Sequence, residues 1–198
     1  ALGYEAVTLA DTMTISGLVE FFKAAEKADI KAIMGVRLAV ALDPTYRKPS
    51  KKSGIEPKLN PIWYPKVFIR NEEGLRDVMA LLSKGFTDDY FYYHARVGLD
   101  DVLKALSNNN LVFTTGDLFS ALYTAGSSVD VREMLQSVSV AHSALQTLIE
   151  LPLINTPLFD RINREGCKLA ADLNLPTIVS TPVFYESSDS ADTLEVYQ

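Results

Sequence analysis

Two acidic residues stand directly after predicted strands, where α/β proteins often place reactive side chains. Asp11, with Thr12 beside it, follows the apolar run Val7–Ala10, and Asp117 follows the run 111–115. A helix N-cap is the favoured interpretation of each carboxylate, because a predicted helix begins soon after both. Two carboxylates are also too few for the metal site of a hydrolase, which needs several converging oxygen and nitrogen ligands.

Other residues that could do chemistry are few. His94 and His142 are the two histidines, so no HExxH pair can form, and the single cysteine, Cys167, excludes a CxxC zinc pattern. Packing or surface roles are expected for both histidines. No partner that could activate Cys167 is evident, and it is expected to be a small buried residue of its helix. Glycine-rich phosphate loops are absent from the sequence.

Arg37 interrupts an otherwise apolar predicted strand over residues 32–40. A charged side chain in such a strand must be paired or must reach water. We therefore expect Arg37 within salt-bridge distance of Asp11 or Asp117. Its positive charge would then occupy the position that a metal ion takes in a metal-dependent site.

Strands and helices alternate along the chain, which predicts an α/β fold. Asn71 is a predicted helix N-cap, and Gly85 is placed just past the end of the same helix. Apolar strands without polar alternation predict a parallel sheet covered on both faces, either a barrel or an open doubly wound sheet. The predicted strands are 6–10, 32–40, 66–70, 111–115 and 176–180, and the predicted helices are 17–28, 72–84, 99–107, 117–125, 129–147 and 158–173.

The composition, with 47% hydrophobic residues, fits a single domain over residues 1–198. A net charge of −6 gives no general attraction to nucleic acid but leaves room for a local basic surface. One cysteine favours a reducing compartment, and no apolar run approaches the roughly 20 residues of a membrane span, so a cytoplasmic location is expected. The chain starts without Met and almost at once with a strand, which suggests a piece of a longer protein.

Residues 43–61 differ in character from the rest of the chain. They contain four prolines and several small residues, and their cations outnumber their two acidic residues. These cations are Arg47, Lys48, Lys51, Lys52 and Lys58. The pattern predicts an exposed, mobile basic loop whose cations could contact DNA, with a merely solvated linker as the alternative.

Four blocks of the sequence resemble, in order, the PHP (polymerase and histidinol phosphatase) domain at the N-terminus of bacterial or phage DNA polymerase III alpha subunits. The blocks read "ALGYEAVTLADTMTISGLVEFFKAAEKADIKAIMGVRLAV", "KVFIRNEEGLRDVMALLSKG", "FYYHARVGLDDVLKAL" and "LAADLNLPTIVSTPVFYESSDSADTLEVY". The match is weakest across 43–61 and 120–157. The resemblance implies a distorted, TIM-like α/β barrel that lacks its first strand here.

Many such domains hold a metal cluster at the carboxyl ends of their strands, and the resemblance carries the ligand positions onto this chain. The Asp of one motif is kept as Asp11, and the His beside it falls on Thr12. The opening His-x-His motif would lie upstream of this sequence. The other ligand positions fall on Arg37, Tyr64, Asp117, Pro182 and Phe184. Arg repels a cation, and Pro and Phe offer no side-chain donor. The resemblance therefore implies a degenerate metal site that binds no metal and has no catalytic residues.

The resemblance implies a degenerate PHP domain of a C-family replicative DNA polymerase, acting structurally or docking a proofreading exonuclease subunit during DNA replication. Its partners would be the rest of the polymerase chain, that exonuclease and, through the parent protein, DNA, with no membrane contact. Mg²⁺ would serve only the nucleotidyltransferase site of the full-length polymerase. Two alternatives stay open: a metal-dependent phosphoesterase or 3′–5′ exonuclease that uses Asp11 and Asp117 together with ligands upstream of this sequence, and a free-standing regulatory PHP module.

Overall fold

The structure is a computed structural model and describes residues 3–58, 60–116, 131–142, 146–181 and 183. A six-stranded sheet, in the order β1-β2-β5-β7-β8-β9, curls into a half-barrel, and a second sheet has the order β4-β3-β6. The strands are β1 (Ala6–Thr12), β2 (Lys31–Arg37), β3 (Val40–Ala41), β4 (Ile62–Trp63), β5 (Lys66–Ile69), β6 (Val97–Gly98), β7 (Leu111–Thr114), β8 (Thr147–Pro152) and β9 (Thr177–Ser180). The helices are α1 (Leu18–Lys27), α2 (Glu72–Gly85), α3 (Leu99–Leu106), α4 (Val131–Ala141) and α5 (Pro157–Leu173).

Local capping explains where two of the helices begin. The Asn71 side chain accepts a hydrogen bond of 2.8 Å from Gly74 N at the start of α2. Thr156 does the same for Phe159 N at the start of α5. No helix among the described residues is long and apolar enough to cross a bilayer.

Two capping predictions are wrong. Asp11 does not cap α1, because it lies within β1 and the N-cap residue is Gly17, which has no side chain to offer. Gly85 is the last residue of α2 and does not follow it. A Cβ there would stand 2.8 Å from the Met13 side chain and 3.1 Å from the Arg96 carbonyl oxygen, so close packing requires this glycine.

The six-stranded sheet is mixed, which corrects the expectation of a parallel sheet. β1, β2, β7, β8 and β9 pair in parallel wherever they are neighbours, but β5 is antiparallel to both β2 and β7. Because β5 is reversed, its first residues lie at the same edge as the carboxyl ends of β2 and β7. The sequence between strands does not reveal this reversal, since it depends on which strands become neighbours.

Strand β8 lies almost entirely in a stretch for which neither a strand nor a helix is predicted, and it overlaps the predicted helix 129–147 only at Thr147. The predicted helix 129–147 ends early, as α4, and the apolar run Thr147–Pro152 extends between β7 and β9. A short apolar run cannot be assigned to strand or helix by periodicity alone. The predicted helix 117–125 lies outside the described residues.

The two faces of the curled sheet are covered unequally. On the outer face Val36, Val67, Phe113 and Ile149 are fully buried beneath helices. On the inner face the neighbouring positions are polar or only half-buried, and β9 is an exposed edge strand. Among the described residues no helix packs on the inner face, so the expected cover on both faces is seen there only for the outer one.

The basic loop of residues 43–61 connects an antiparallel pair, β3 and β4. The predicted strand 32–40 is thus divided into β2 and β3. Asn60 closes the base of the loop: its Oδ1 accepts from Asp43 N at 2.9 Å and its Nδ2 donates to Asp43 O at 2.8 Å. Apart from a short 3-10 turn at Lys51–Ser53, the described part of the loop is irregular and largely exposed. Its predicted mobility stays a prediction.

Candidate functional site at the carboxyl edge of the sheet

Four polar residues form a row across neighbouring strands at the carboxyl edge. The strand register pairs Thr12 with Arg37, Arg37 with Lys66, and Lys66 with Thr114. Residues paired in this way project from the same face of a sheet. The row therefore lies on the inner face, and we call it the edge row.

Arg37 in the edge row contacts an aromatic ring. Its guanidinium carbon lies 4.4 Å from the ring centroid of Tyr64, the residue two positions before β5. Both side chains are half-buried. The arrangement is a cation–π contact, which lets Arg37 reach partial solvent without a carboxylate.

Asp11 does not pair with Arg37, so that part of the expectation is wrong. Within the described ranges no ion pair joins these two residues. Asp11 is in register with Val36 of the outer face, and successive residues of a strand point to opposite faces. Its carboxylate is exposed and lies beside Gly17, 3.6 Å from where a Cβ would stand. The alternative partner, Asp117, lies outside the described residues.

Glu150 of β8 is the buried acid of this edge, with only 4% of its surface exposed. Lys66 Nζ forms an ion pair with Glu150 Oε1, and Thr114 Oγ1 donates a hydrogen bond of 2.8 Å to Oε2. Both carboxylate oxygens therefore have protein partners. Such an acid is engaged in structure and is not free to act as a general base.

Opposing effects set the protonation of Glu150. Burial disfavours the carboxylate, but the ion pair with Lys66 and hydrogen bonds from Ser180 and Thr114 outweigh that effect and hold the pKa of Glu150 below its ordinary value. The group is ionised at neutral pH. Because burial opposes ionisation, the charge depends on Lys66 remaining in place.

The strand ends around this network are fixed by tight packing. Glu150 N donates to Thr115 Oγ1 at 2.9 Å, and Trp63 Nε1 donates to Thr115 O at 2.8 Å. Gly116 follows with a φ of +63°, and a Cβ there would overlap the Tyr64 carbonyl oxygen. Only glycine fits this position, which presses the end of β7 against the start of β5.

A cavity of about 450 Å³ opens on the inner face beside the network. Its walls come from the two edge strands β1 and β9, and its floor from β5, β7 and β8. The polar lining includes Thr8, Lys66, Thr114, Glu150 and Ser180. The cavity thus occupies the interior of the half-barrel, where the ion pair of Lys66 and Glu150 supplies its buried charge.

The residues that the resemblance gives to a metal site are partly described. Asp11, Thr12, Arg37 and Tyr64 lie at the carboxyl edge, whereas Asp117, Pro182 and Phe184 lie outside the described residues. Over the described ranges, no group of three or more His, Cys, Asp or Glu side chains is arranged to hold a metal ion. Arg37, stacked on Tyr64 beside the cation of Lys66, does not fit a site for a divalent cation.

Sequence reasoning missed both Lys66 and Glu150. Each is a lone charge in an apolar strand, "KVFI" and "TLIELP", which is the same signal that singled out Arg37. Pairing them requires knowing that β5 and β8 both border β7. Cys167 is exposed on α5, so the expectation that it is buried is wrong. His142 is buried and contacts Leu106 O through Nδ1, in agreement with a packing role.

The five candidate cations of the basic loop are all exposed. Lys58 pairs with Asp43 at 3.0 Å, and hydrogen bonds from Thr45 and Lys58 lower the pKa of Asp43 to about 2. Arg47 is held against the body of the domain by the Asp88 carbonyl oxygen. Among the described residues, Lys48, Lys51 and Lys52 form no ion pair.

A curled α/β half-barrel with its polar side chains gathered at the carboxyl edge defines the class of distorted, TIM-like barrels. The chain belongs to the PHP domain family, whose model matches residues 1–151. A solved structure assigned as a metal-dependent phosphoesterase from Bifidobacterium adolescentis superposes with a TM-score of 0.60, over 90% of this chain and 77% of the other, at 11% identity. That likeness confirms the fold class.

The curated relatives connect the chain with DNA replication proteins. It is 29% identical over 212 residues to the DNA polymerase III subunit alpha of Yersinia pestis, covering 98% of this chain and 17% of the relative. The protein of the same name from Treponema pallidum is 27% identical over 194 residues, covering 96% and 16%. This chain thus spans about a sixth of the length of these relatives, and the predicted homology to polymerase III alpha subunits is confirmed.

Proposed function

We propose that this chain is the PHP domain of a replicative DNA polymerase III alpha-like protein and that it supports the polymerase without hydrolysing phosphoesters itself. The observation that carries this proposal is the edge row, in which Arg37 and Lys66 are neighbours at the mouth of the half-barrel. Divalent cations need converging oxygen or nitrogen donors, but the charge of Arg37 opposes them and Lys66 already occupies the buried carboxylate of Glu150. Mg²⁺ would then serve only the polymerase residues outside this chain.

An exonuclease assay tests the loss of catalysis. A 3′-labelled DNA strand is incubated with the wild-type chain, with Asp11→Asn and with Glu150→Gln, in the presence of Mn²⁺, and nucleotide release is measured. We expect no release above background from any of the three, because neither carboxylate has the partners that a metal-activated water would require. Release by the wild type that Asp11→Asn abolishes would establish the alternative, a metal-dependent 3′–5′ exonuclease.

The structural role needs a contact surface, and the outer face offers one between α1 and α2. The connection between β2 and β5 has no α-helix in its described residues, so the helical layer has a gap there. The gap is an apolar groove of about 510 Å³ with Met34 and Ile69 as its floor. Its walls expose Val19, Phe22 and Met79, which are among the large apolar side chains in contact with water.

We assign the groove to the remainder of the polymerase chain, with an amphipathic helix as the occupant. The curated relatives are about six times as long as this chain, which leaves most of such a protein outside it. A helix is about 10 Å across, which suits a groove bounded by two helices. A separate proofreading exonuclease is the other partner expected of such a domain.

Phe22→Asp and Met79→Asp test this contact in the full-length protein. Each places a charge in the groove, so we expect the PHP domain to be released faster by limited proteolysis while the melting temperature of the 198-residue chain alone is unchanged. Val140→Asp is the matched control, since Val140 is 87% exposed on α4, away from the groove. Equal proteolysis of all three variants and the wild type would refute the assignment.

A further inference from the structure

Two segments far apart in sequence form one surface of cations and aromatic rings. The first is the basic loop, and the second is the stretch 86–94, which contains five aromatic residues. We call the joint surface the basic–aromatic surface. The residues of this surface that matter below are Arg47, Lys48, Lys51, Lys52, Tyr92 and Tyr93.

Arg96 fixes the two segments together from beneath. It is only 6% exposed, yet within the described part of the chain it has no carboxylate partner. Its Nε donates to Pro44 O at 2.8 Å, its Nη2 donates to Tyr46 O, and its guanidinium carbon lies 5.4 Å from the Tyr92 ring centroid. Burial lowers the pKa of Arg96, but the group stays charged. The start of the basic loop is therefore held in one position relative to the aromatic segment.

Arg47 makes the same connection at the surface. Its guanidinium carbon lies 5.5 Å from the Tyr92 ring centroid, and Nη2 donates to Asp88 O. The side chain remains exposed. Tyr92 thus contacts both arginines, and an exposed cation is positioned beside the aromatic segment instead of moving freely with the loop.

Tyr93 presents its ring to solvent from a strained backbone. It is the tip of a tight turn in which Tyr92 N donates to His94 O at 3.3 Å, and its φ is +60°. This conformation is uncommon for a bulky residue and is strained. The Tyr93 ring packs edge-on against Tyr92 at 4.6 Å between centroids and is 78% exposed. A ring with an open face is therefore displayed beside Tyr92, the ring that Arg47 of the basic loop contacts.

We propose that the basic–aromatic surface binds single-stranded nucleic acid, with Tyr93 stacking on a base and Arg47, Lys48, Lys51 and Lys52 contacting phosphates. Aromatic platforms combined with cations recognise unpaired strands, because only unstacked bases offer a free face. A duplex or an acidic protein would use the cations but not the exposed ring. The ligand is taken to be DNA on the strength of the proposed function, but the surface lies outside the edge row.

The test is a binding titration of the 198-residue chain with a fluorescently labelled, mixed-sequence single strand of DNA in EDTA, across a salt series. Tyr93→Ala should weaken binding on the order of 10-fold, and Tyr93→Phe should retain it, because the stacking ring is kept. Lys51→Gln with Lys52→Gln should reduce the salt slope by about 1.4, since each phosphate contact on a single strand contributes about 0.7. The matched control is Lys27→Gln with Lys31→Gln, two exposed cations at the opposite end of the sheet, which should leave affinity and slope unchanged.

Several results would overturn the inference. They are no binding at low salt, equal affinity for duplex and single strand, or an equal loss in the control pair. A Tyr93→Ala variant that is folded by circular dichroism yet binds like the wild type would exclude the stacking role. Because the assay uses this chain alone and no polymerase activity, a failure here leaves the structural role untouched. Conversely, Mn²⁺-dependent nucleotide release in the exonuclease assay would contradict the proposed loss of catalysis and leave the binding result unchanged, because the titration is run in EDTA.

Discussion

Arg37 and Lys66 are adjacent members of the edge row, and both are cations that face inward. Their positive charges are stabilised by different kinds of partner. Lys66 has 27% of its side chain exposed and is paired with a carboxylate that is almost completely buried. Arg37 has no carboxylate partner among the described residues and lies on the face of Tyr64. One half of the row is a closed ion pair, and the other is an open cation–aromatic stack.

Because of this difference, we expect the Lys66–Glu150 pair to contribute more to the stability of the domain than the Arg37–Tyr64 contact. Removing one partner of a buried ion pair leaves a charge without solvent, which is strongly destabilising. A half-exposed guanidinium loses much less when its ring or charge is removed, because water replaces the contact. We therefore expect the Lys66 half to govern stability and its pH dependence, and the Arg37 half to set the charge at the mouth of the half-barrel.

Lys66→Met should produce the largest effect of the substitutions that separate the two halves. It leaves Glu150 buried and unpaired, so we expect a loss of about 3 kcal/mol in the free energy of unfolding at neutral pH. Urea denaturation measures this loss. Lys66→Met combined with Glu150→Leu is the control and should recover much of the stability, because no charge then remains buried. A loss below about 1 kcal/mol in the single variant would show that the pair is not desolvated.

The pH dependence of the same variant gives a second readout. In the wild type the pKa of Glu150 is lowered in the folded state, so its stabilising contribution is full above the unfolded pKa near 4.5 and is lost as the pH falls through the folded pKa. In Lys66→Met the hydrogen bonds from Thr114 and Ser180 remain, but burial, the largest effect on Glu150, is no longer opposed by the ion pair and should raise the pKa of Glu150. The difference in free energy of unfolding between Lys66→Met and the wild type should therefore shrink as the pH falls from 7 to 4. Adding Glu150→Gln to Lys66→Met should abolish this convergence, because the titrating carboxyl group is then gone.

Sequence patterns predicted most of the elements but little of their neighbour relations. The helices α1, α2, α3 and α5 begin and end close to the predicted residues because their apolar spacing and caps are local signals. The reversal of β5 could not be predicted, since the direction of a strand depends on its tertiary neighbours. β8 was missed because its apolar residues Leu148, Ile149 and Leu151 form a run too short for periodicity to tell a strand from a buried helix.

The candidate site was predicted in position but not in its contacts. The carboxyl edge was expected from Asp11 and Arg37, and the structure places both there. Their separation onto opposite faces follows from the register of β1 with β2, in which Thr12 and not Asp11 is the partner of Arg37. That register is set by pairing between residues 25 positions apart in the sequence, whereas residue types alone suggested a pair of opposite charges.

Arg37→Met should have the smaller effect and thereby complete the comparison. A cation–π contact at a half-exposed site contributes about 0.5–1 kcal/mol, so we expect a loss no larger than that, in contrast to the loss from Lys66→Met. Tyr64→Leu should cost a similar amount, and the two changes together should cost less than their sum, because each removes the same contact. Arg37→Lys is the control: it keeps the charge but not the planar stacking group, and it should fall between the wild type and Arg37→Met. A loss near 3 kcal/mol from Arg37→Met would mean that this arginine is paired with a buried carboxylate after all, and the two halves of the edge row would then be alike.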